Sequence, residues 1–328
     1  MGPWPFPLTE KSWYSEKEIA DGQLRMMFAC CHPALSRESQ VALTLKTLGG
    51  LSVREIARAF LTDERATAQR LVRAKRTLRE ARVRFAVPAP DELPARLDAV
   101  LETLYLLFNE GYTAHAGDAL TRAELCHEAI RLGEILVRHP AGDAPPAWAL
   151  LALMLLQASR LPSRVDGRGD LLLLREQDRS RWDRALIRRG LQCLERAAAG
   201  DRASTYHLEA GIAACHAAAP SYEATDWRAV LDAYDGLLAQ SGSPVVALNR
   251  AIAVAMVHGA AAGIAELERL RGLPVLDSYH LLPAALGALH AEAGDAARAA
   301  ACYREALGKT ESEPERRFLE RKLREVGA

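Results

Sequence analysis

The sequence has few aromatic residues, no net charge and no long apolar run. Aromatic residues make up 6% of the 328 residues, and hydrophobic residues, mainly Ala and Leu, make up 49%. This composition is ordinary for a globular protein and leans towards helix. No apolar run reaches the roughly 18–20 residues of a membrane span, and the longest, around Trp148 to Gln157, fits a buried helix. The length allows two domains.

The cysteines and the N-terminus indicate a reducing compartment. Six cysteines are scattered along the chain: Cys30, Cys31, Cys126, Cys193, Cys215 and Cys302. The first residues lack the basic start and apolar core of a secretory signal. We therefore expect reduced thiols in a cytoplasmic protein that does not contact a membrane.

No known motif in the sequence indicates an enzyme, a cofactor or a metal site. Cys30, Cys31 and His32 are adjacent, but adjacent ligands on a helix point in different directions and no second ligand pair follows them. The pair Cys126-His127 has the same weakness. A Walker loop, a serine triad and a dinucleotide fingerprint are also missing.

Charge is unevenly distributed, and it singles out one short segment. Residues 52–84 contain ten Arg or Lys and four Asp or Glu, a net charge of +6, whereas residues 1–51 are neutral and residues 85–328 carry −6. A basic segment joined to an acidic body indicates one part that meets a polyanion and one part that does not.

The basic segment has the pattern of a helix-turn-helix, in which the second helix lies on DNA. Ser52 and Glu55 form a capping box that predicts the start of the first helix. The buried stripe of this helix is predicted to be Ile56, Ala57 and Phe60.

The second helix is expected to begin at a cap provided by Thr62 or Asp63 and to run to about Arg84. Leu61 stands at the turn, where a helix-turn-helix commonly has Gly. We therefore expect a turn that does not require a positive φ.

One side of the second helix is predicted to face inward and the other to face DNA. The inward side comprises Ala68, Leu71, Val72 and Leu78. The residues predicted to bind DNA are Arg65, Gln69, Arg70, Arg73, Lys75 and Arg76. Near the helix start, Arg suits guanine and Gln suits adenine, while the later basic residues are expected to hold phosphates. The alternative is a solvated basic face without a partner.

The predicted fold is all-α, with two domains. Residues 1–20 are a loose arm, residues 21–86 the helix-turn-helix domain, and residues 87–94 a linker with three prolines. Residues 95–328 form a helical domain, in which nearly every segment is a helix.

The last third of the chain contains a repeat. Gly259 and Gly294 are 35 residues apart, and residues 286–307 resemble a tetratricopeptide (TPR) unit. The spacing that lets two antiparallel helices touch closely is provided by Gly287, Ala299, Tyr303 and Ala306. Stacked units of this kind expose a concave face. The alternative is a helical bundle with small residues at its crossings.

The basic segment resembles region 4 of bacterial sigma factors of the extracytoplasmic-function group. The resemblance rests on Ser52, Glu55-Ile-Ala57, Arg70-Leu71 and Arg73-Ala74. Over about residues 21–326, the chain resembles the subgroup in which a long TPR-like extension follows region 4. The segments that carry this wider resemblance are 24–35, 68–76, 105–112, 178–183 and 247–251.

The resemblance implies that the chain contacts the −35 promoter element and the β flap of RNA polymerase. Sigma factors of this group begin with region 2, which grips the polymerase clamp and melts the −10 element, and residues 1–20 do not resemble it. The chain is therefore expected to be an excised piece, a mis-started gene or a natural remnant that does not open a promoter. The C-terminal domain is expected to regulate or dock, with a regulatory protein as its partner.

A second group of candidate residues lies beyond the linker. A helix end combines an amide, an acid and a phenol in Asn109, Glu110 and Tyr112. Alternating charges at residues 178–183 can pair with them, and the candidates there are Asp178, Arg181 and Trp182. We interpret these residues as a structural or regulatory network that locks the start of the second domain onto the helical body, with an enzyme site as the alternative.

Two other functions are consistent with the sequence. The first is a stand-alone helix-turn-helix regulator whose body senses a protein or a small ligand, which predicts DNA binding without polymerase contact. The second is a TPR-type adaptor whose basic helix meets an acidic protein, which predicts no DNA binding.

Overall fold

The secondary structure of the protein is helical. The computed structural model describes residues 19, 21–81, 88–112, 122–167 and 170–327, and within them it has fifteen α-helices and, apart from an isolated bridge between Val165 and Leu171, no β-structure. The all-α prediction is confirmed. Most of the predicted arm and the end of the basic segment lie outside the described residues. Among the described helices, none is both long enough and apolar enough to cross a membrane.

The first four helices form the N-terminal module: α1 (Gly22–Cys30), α2 (Arg37–Thr47), α3 (Val53–Ala59) and α4 (Glu64–Glu80). The predicted capping box of α3 is confirmed, because Ser52 and Glu55 bond each other's backbone N–H groups. Asp63 caps α4, because its side chain accepts a hydrogen bond from the backbone N–H of Ala66, the third residue of the helix. The described part of α4 ends at Glu80, before the predicted end at Arg84.

The turn between α3 and α4 differs from the prediction. Leu61 has a φ of +51° and is the one non-glycine residue of the described ranges with a positive φ, so the expectation of a turn without one is wrong. Its N–H donates to the carbonyl of Arg58 at 3.0 Å, and the N–H of Thr62 donates to that of Ala57 at 2.9 Å. A left-handed residue lets the chain reverse and satisfy these carbonyls, at a cost of roughly 1–2 kcal/mol for a residue other than Gly.

Five helices form the first half of the helical body: α5 (Leu93–Tyr112), α6 (Ala123–Arg138), α7 (Pro145–Ala158), α8 (Arg184–Ala197) and α9 (Thr205–Ala218). Helix α7 carries no charged residue and is buried along most of its length, and its neighbours pack around it. A helix that is apolar on all sides belongs in the centre of a helical protein. The predicted buried helix around residues 148–157 is thus confirmed.

Six helices form the second half: α10 (Trp227–Ser241), α11 (Pro244–His258), α12 (Ala260–Leu270), α13 (Leu281–Glu292), α14 (Ala296–Leu307) and α15 (Glu313–Glu325). Consecutive helices pack against each other. Helices α13 and α14 approach so closely that a side chain at Gly287 would meet the ring of Tyr303 at 2.8 Å. This close approach was predicted, while the assignment of these helices to TPR units stays a prediction.

The N-terminal module and the helical body share one hydrophobic core. Helix α5 packs against α1, α2 and α3. The largest cluster of buried residues includes Phe28 and Leu45 of the module together with Leu104 and Phe108 of α5. Helix α5 begins at Leu93, inside the predicted linker. The domain boundary stays a prediction, but separating the module from the body would expose this core to water.

Candidate nucleic-acid interface

The second helix of the helix-turn-helix, α4, is held by one narrow buried face. Thr67, Leu71 and Ala74 are buried against α2 and α3, and Leu78 packs beside them. These residues recur every three or four positions, so they form one stripe along the helix. Leu71 and Leu78 therefore face inward as predicted, and the opposite side of α4 is turned to solvent.

Ala68 and Val72 lie on the outer side, so the prediction that they face inward is wrong. Val72 is 67% exposed, and Ala68 is exposed as well. They follow Arg65 by three and seven residues and therefore share its face. An apolar side chain among basic ones suits the methyl group of thymine. The spacing from Arg65 was the signal that could have identified them.

The predicted DNA-binding residues differ in how they are held. Four are exposed: Arg65, Gln69, Arg73 and Lys75. The three charged ones form no ion pair within the described part of the chain. Arg76 is exposed too, and its Nε lies 2.6 Å from Oε1 of Glu80. Such a solvated pair contributes little stability and yields easily to a phosphate. Arg70 is half-buried, with its guanidinium 5.7 Å from the ring centre of Phe60.

The capping box of α3 also joins the module to the helical body. Glu55, besides capping Ser52, accepts a hydrogen bond from Nη1 of Arg122 at 2.8 Å. The position of Arg122 is fixed by a close approach between the end of α5 and the start of α6. The backbone N–H of Arg122 donates to the carbonyl of Gly111 at 2.7 Å, and a side chain at Gly111 would collide with the start of α6. Against the effect of burial, the bonds from Ser52 and the charge of Arg122 hold the pKa of Glu55 below its ordinary value.

Glu110 lies at the same junction. Its side chain is buried, and burial together with the nearby charge of Glu55 raises the pKa of Glu110 to about 7. The pKa values of these two neighbouring carboxyl groups are thus shifted in opposite directions. Glu55 is ionised and paired, and Glu110 keeps its proton into the neutral pH range. The charge of Glu55 on α3 therefore acts on Glu110 of α5 across this junction.

Tyr112 belongs to a second network, inside the body. The hydroxyl of Tyr112 accepts a hydrogen bond from Nη2 of Arg160 at 2.6 Å. The guanidinium of Arg164 lies 3.8 Å from the centre of the Tyr112 ring and donates to the Tyr112 carbonyl. Asn109 lies beside Tyr105.

Of the candidates at residues 178–183, Trp182 enters this network. It is buried, and the guanidiniums of Arg160 and Arg179 lie 5.8 and 4.5 Å from its ring centre. Asp178 is exposed and accepts hydrogen bonds within its own turn. Arg181 is exposed. Arg179, which sequence reasoning missed, takes the place expected of Arg181, and the alternating charges carried no signal that distinguished the two.

The cysteines lie in apolar surroundings. Burial raises the pKa of Cys31 and that of Cys126 to about 12, so both thiols stay protonated and unreactive. Over the described ranges, no group of three His, Cys, Asp or Glu side chains is placed to hold a metal ion.

Comparison with known proteins matches two parts of this chain to families. Residues 25–78 match "Sigma-70, region 4", and residues 96–198 match a "Family of unknown function (DUF6596)". An uncharacterized protein of Rhizobium meliloti (strain 1021) is 39% identical over 309 residues, which are 94% of this chain and 72% of that protein. The chain therefore contains a sigma-70 region 4 module, and the predicted helix-turn-helix is confirmed for residues 25–78.

Proposed function

This chain belongs to the same family as the Rhizobium meliloti protein, and we propose that it acts in transcription initiation as a sigma factor of the extracytoplasmic-function group. Its α4 reads the −35 promoter element, and the module docks on the β flap of RNA polymerase. Both partners are found in the cytoplasm, where we place the protein. In this role it binds and positions other molecules and catalyses no reaction.

The observation that supports this proposal most directly is the outer face of α4. Arg65, Gln69 and Arg73 are exposed without ion pairs among the described residues, and Val72 lies between them. In this set Arg65 suits guanine, Gln69 suits adenine and Val72 suits the methyl group of thymine, while Arg73 holds a phosphate. It stands on a region 4 module whose helix α3 begins at a complete capping box.

The helical body regulates or docks the region 4 module in this proposal, as a TPR-like unit that binds a regulatory protein. Two contacts between body and module support it. Glu55 of α3 bonds Arg122 at the start of α6, and Arg54 of α3 bonds Glu311, just before α15, at 2.5 Å. Both ends of the body therefore touch α3, the helix that supports α4.

The experiment is retention of the full chain on core RNA polymerase and on the isolated β flap, combined with selection of binding sequences from a pool of duplex DNA. We expect retention on both proteins and enrichment of one short motif. The double variant Arg65→Ala, Arg73→Ala should bind the enriched duplex at least about tenfold more weakly. The matched control is Arg188→Ala, which removes an exposed arginine from α8.

Three outcomes would contradict the proposal. Enrichment of a motif without polymerase retention would identify a stand-alone regulator. Polymerase retention or protein binding without any DNA binding would identify an adaptor. An equal loss of DNA affinity in the Arg188→Ala control would show that net charge, and not the face of α4, carries the interaction.

A further inference from the structure

Three arginines gather around two aromatic rings in the interior of the helical body. Arg164 lies 3.8 Å from the ring centre of Tyr112, and Arg160 and Arg179 lie over Trp182. Arg164 is buried and the other two are half-buried. Stacking on aromatic rings fixes the planes of the guanidiniums, so their donors are aimed before any ligand arrives.

Over the described residues no carboxylate forms an ion pair with this arginine cluster, although the charge of Glu223 acts on Arg179 from a longer distance. Within the described part of the chain, no Asp or Glu reaches ion-pair distance of Arg160, Arg164 or Arg179, and their hydrogen bonds go to Tyr112 and to backbone carbonyls. Burial, with a contribution from the charge of Arg160, lowers the pKa of Arg164 and that of Arg179. Charges withdrawn from water without a counter-charge are costly, and an anion removes that cost.

Several buried nitrogens in the cluster have no hydrogen-bond partner among the described residues. They are Nε of Arg160, Nη2 of Arg179, Nε1 of Trp182 and Nδ1 of His216. Trp182 is 2% exposed and His216 is 9% exposed, so neither side chain is free to turn to solvent. Buried polar atoms are nearly always bonded in native proteins, and a concentration of exceptions marks a place where a ligand group is expected.

An apolar cavity of about 400 Å³ lies beside the cluster; His216 lines the cavity, whereas Arg160, Arg164 and Arg179 do not. Its aromatic lining consists of Tyr222, Trp227, Tyr234, Tyr303 and Phe318. His216 belongs to both places, because its ring packs edge-on against Trp227, 5.2 Å between centres, while its carbonyl accepts a hydrogen bond from Arg179. Burial lowers the pKa of His216 to about 4, so its ring is neutral and adds no charge to the cavity wall.

The other charged groups of the cavity are mostly engaged. Glu315 accepts a hydrogen bond from Thr310 at 2.6 Å, and Lys322 lies 3.0 Å from Glu176. Glu292 and Arg175 are exposed at the edge, one of each sign. The arginine cluster is therefore the main source of uncompensated charge beside the cavity, and its sign is positive.

We propose that this cavity and the arginine cluster together form a binding site for a small amphipathic organic anion. The apolar body of the ligand occupies the cavity, and its carboxylate or phosphate is held by Arg160 and Arg179. The volume of the cavity is that of a small-molecule site, which favours a small molecule over a protein segment. The site does not depend on the promoter-binding role, and its test needs neither DNA nor polymerase.

The test is titration of the full chain by calorimetry with four probes. These are 4-phenylbutyrate and 4-phenylbutyl phosphate, which carry charge and apolar body, 4-phenylbutan-1-ol, which lacks the charge, and acetate, which lacks the body. We expect saturable binding of at least one of the two phenylbutyl anions, at least about tenfold tighter than binding of the alcohol. Acetate should bind more weakly than both the preferred anion and the alcohol. The preferred anion distinguishes a carboxylate site from a phosphate site.

Two variants and one control locate the binding. Arg160→Gln should weaken the preferred anion at least about tenfold and leave the alcohol unchanged. Ala288→Phe, which fills the cavity from α13, should weaken the binding of both the anion and the alcohol. This variant remains informative if Arg160→Gln does not fold. The control Arg196→Gln removes an arginine stacked 4.6 Å from Trp148, outside the cavity, and should change neither affinity.

Three results would overturn the proposal. Equal affinity for the anions and the alcohol would leave no role for the arginines. Unchanged anion binding in Ala288→Phe would leave no role for the cavity. The absence of saturable binding of either anion up to about 10 mM would mean that the cluster is a structural feature without a ligand.

Discussion

The protein presents two sets of arginines whose side chains are supported in opposite ways. On α4 of the region 4 module, Arg65 and Arg73 are exposed and form neither an ion pair nor a contact with an aromatic ring among the described residues. In the helical body, Arg164 and Arg179 lie on Tyr112 and Trp182 and are partly or wholly withdrawn from water. The same side chain is therefore exposed and screened by solvent in one region, and stacked on a ring and withdrawn from water in the other.

This difference determines what each set can recognise. A solvated guanidinium gains little from one contact and is screened by salt, so it suits a polyanion that offers many phosphates in a row. A guanidinium that is stacked and desolvated gains more from a single anion, and it discriminates by geometry. The comparison teaches that arginine content alone does not locate a nucleic-acid site, because exposure and stacking decide the kind of anion that binds.

The largest expected effect tests whether the buried set supports the fold. We predict that Arg164→Ala lowers the free energy of unfolding by about 3 kcal/mol, because it leaves the Tyr112 carbonyl and ring without their contacts in the core. The measurement is urea unfolding followed by circular dichroism.

Arg196→Ala is the control, because it also removes a stacked arginine but from an exposed position. It should cost under about 1 kcal/mol. If the two variants are equally stable, the buried arginine contributes nothing beyond a surface one, and the contrast between the two sets disappears.

A smaller effect divides the exposed set itself. We predict that Arg73→Ala weakens duplex binding about tenfold and reduces the salt dependence of binding by about one counterion, as for the loss of a phosphate contact. Arg70→Ala should weaken binding less and should cost about 0.5–1 kcal/mol of stability, because Arg70 packs over Phe60.

Fluorescence anisotropy at three salt concentrations, with thermal unfolding of both variants, measures these quantities. An Arg70→Ala variant of unchanged stability that loses as much DNA affinity as Arg73→Ala would place both arginines on the DNA. The half-buried position of Arg70 would then not decide its role.

The helix-turn-helix could be predicted from the sequence because its signals are local. The capping box of Ser52 and Glu55 and the cap at Asp63 lie within four residues of the groups they bond, so spacing alone identifies them. The errors arose at residues whose type is compatible with more than one local environment. Leu61 was expected to avoid a positive φ, and Val72 was assigned to the core because it is apolar.

The arginine cluster could not be predicted for the opposite reason. Arg160 follows α7, Arg179 lies in the connection before α8, and His216 lies in the last turn of α9, so three elements bring them together. Neither periodicity nor charge pattern distinguishes Arg179 from Arg181, because which of them meets Trp182 depends on a turn whose path is set by packing. Long-range assembly of this kind leaves no mark in a single sequence.

Glu110 lies at the junction between the two regions, and its ionisation tests how firmly they are joined. In the folded protein its pKa is raised to about 7 by burial and by Glu55, whereas an unfolded chain has the ordinary value near 4.5. Between these values the folded state holds a proton that the unfolded state has released. Stability is therefore greatest below the unfolded pKa and falls as pH rises through the folded one.

The prediction is that unfolding free energy decreases from pH 5 to pH 8, and that Glu110→Gln removes on the order of 1 kcal/mol of this decrease, since an amide cannot ionise. Glu209 also has a pKa raised to about 7, so the difference between variant and parent is the quantity to measure, not the slope of either alone. The control Glu124→Gln removes an exposed acid near the same Arg122 and should leave the pH dependence unchanged. If Glu110→Gln keeps the full slope, the side chain of Glu110 is already solvated when it ionises. The module and the body can then separate without bringing a buried charge into water. That outcome would weaken the link between the two regions that the shared core implies.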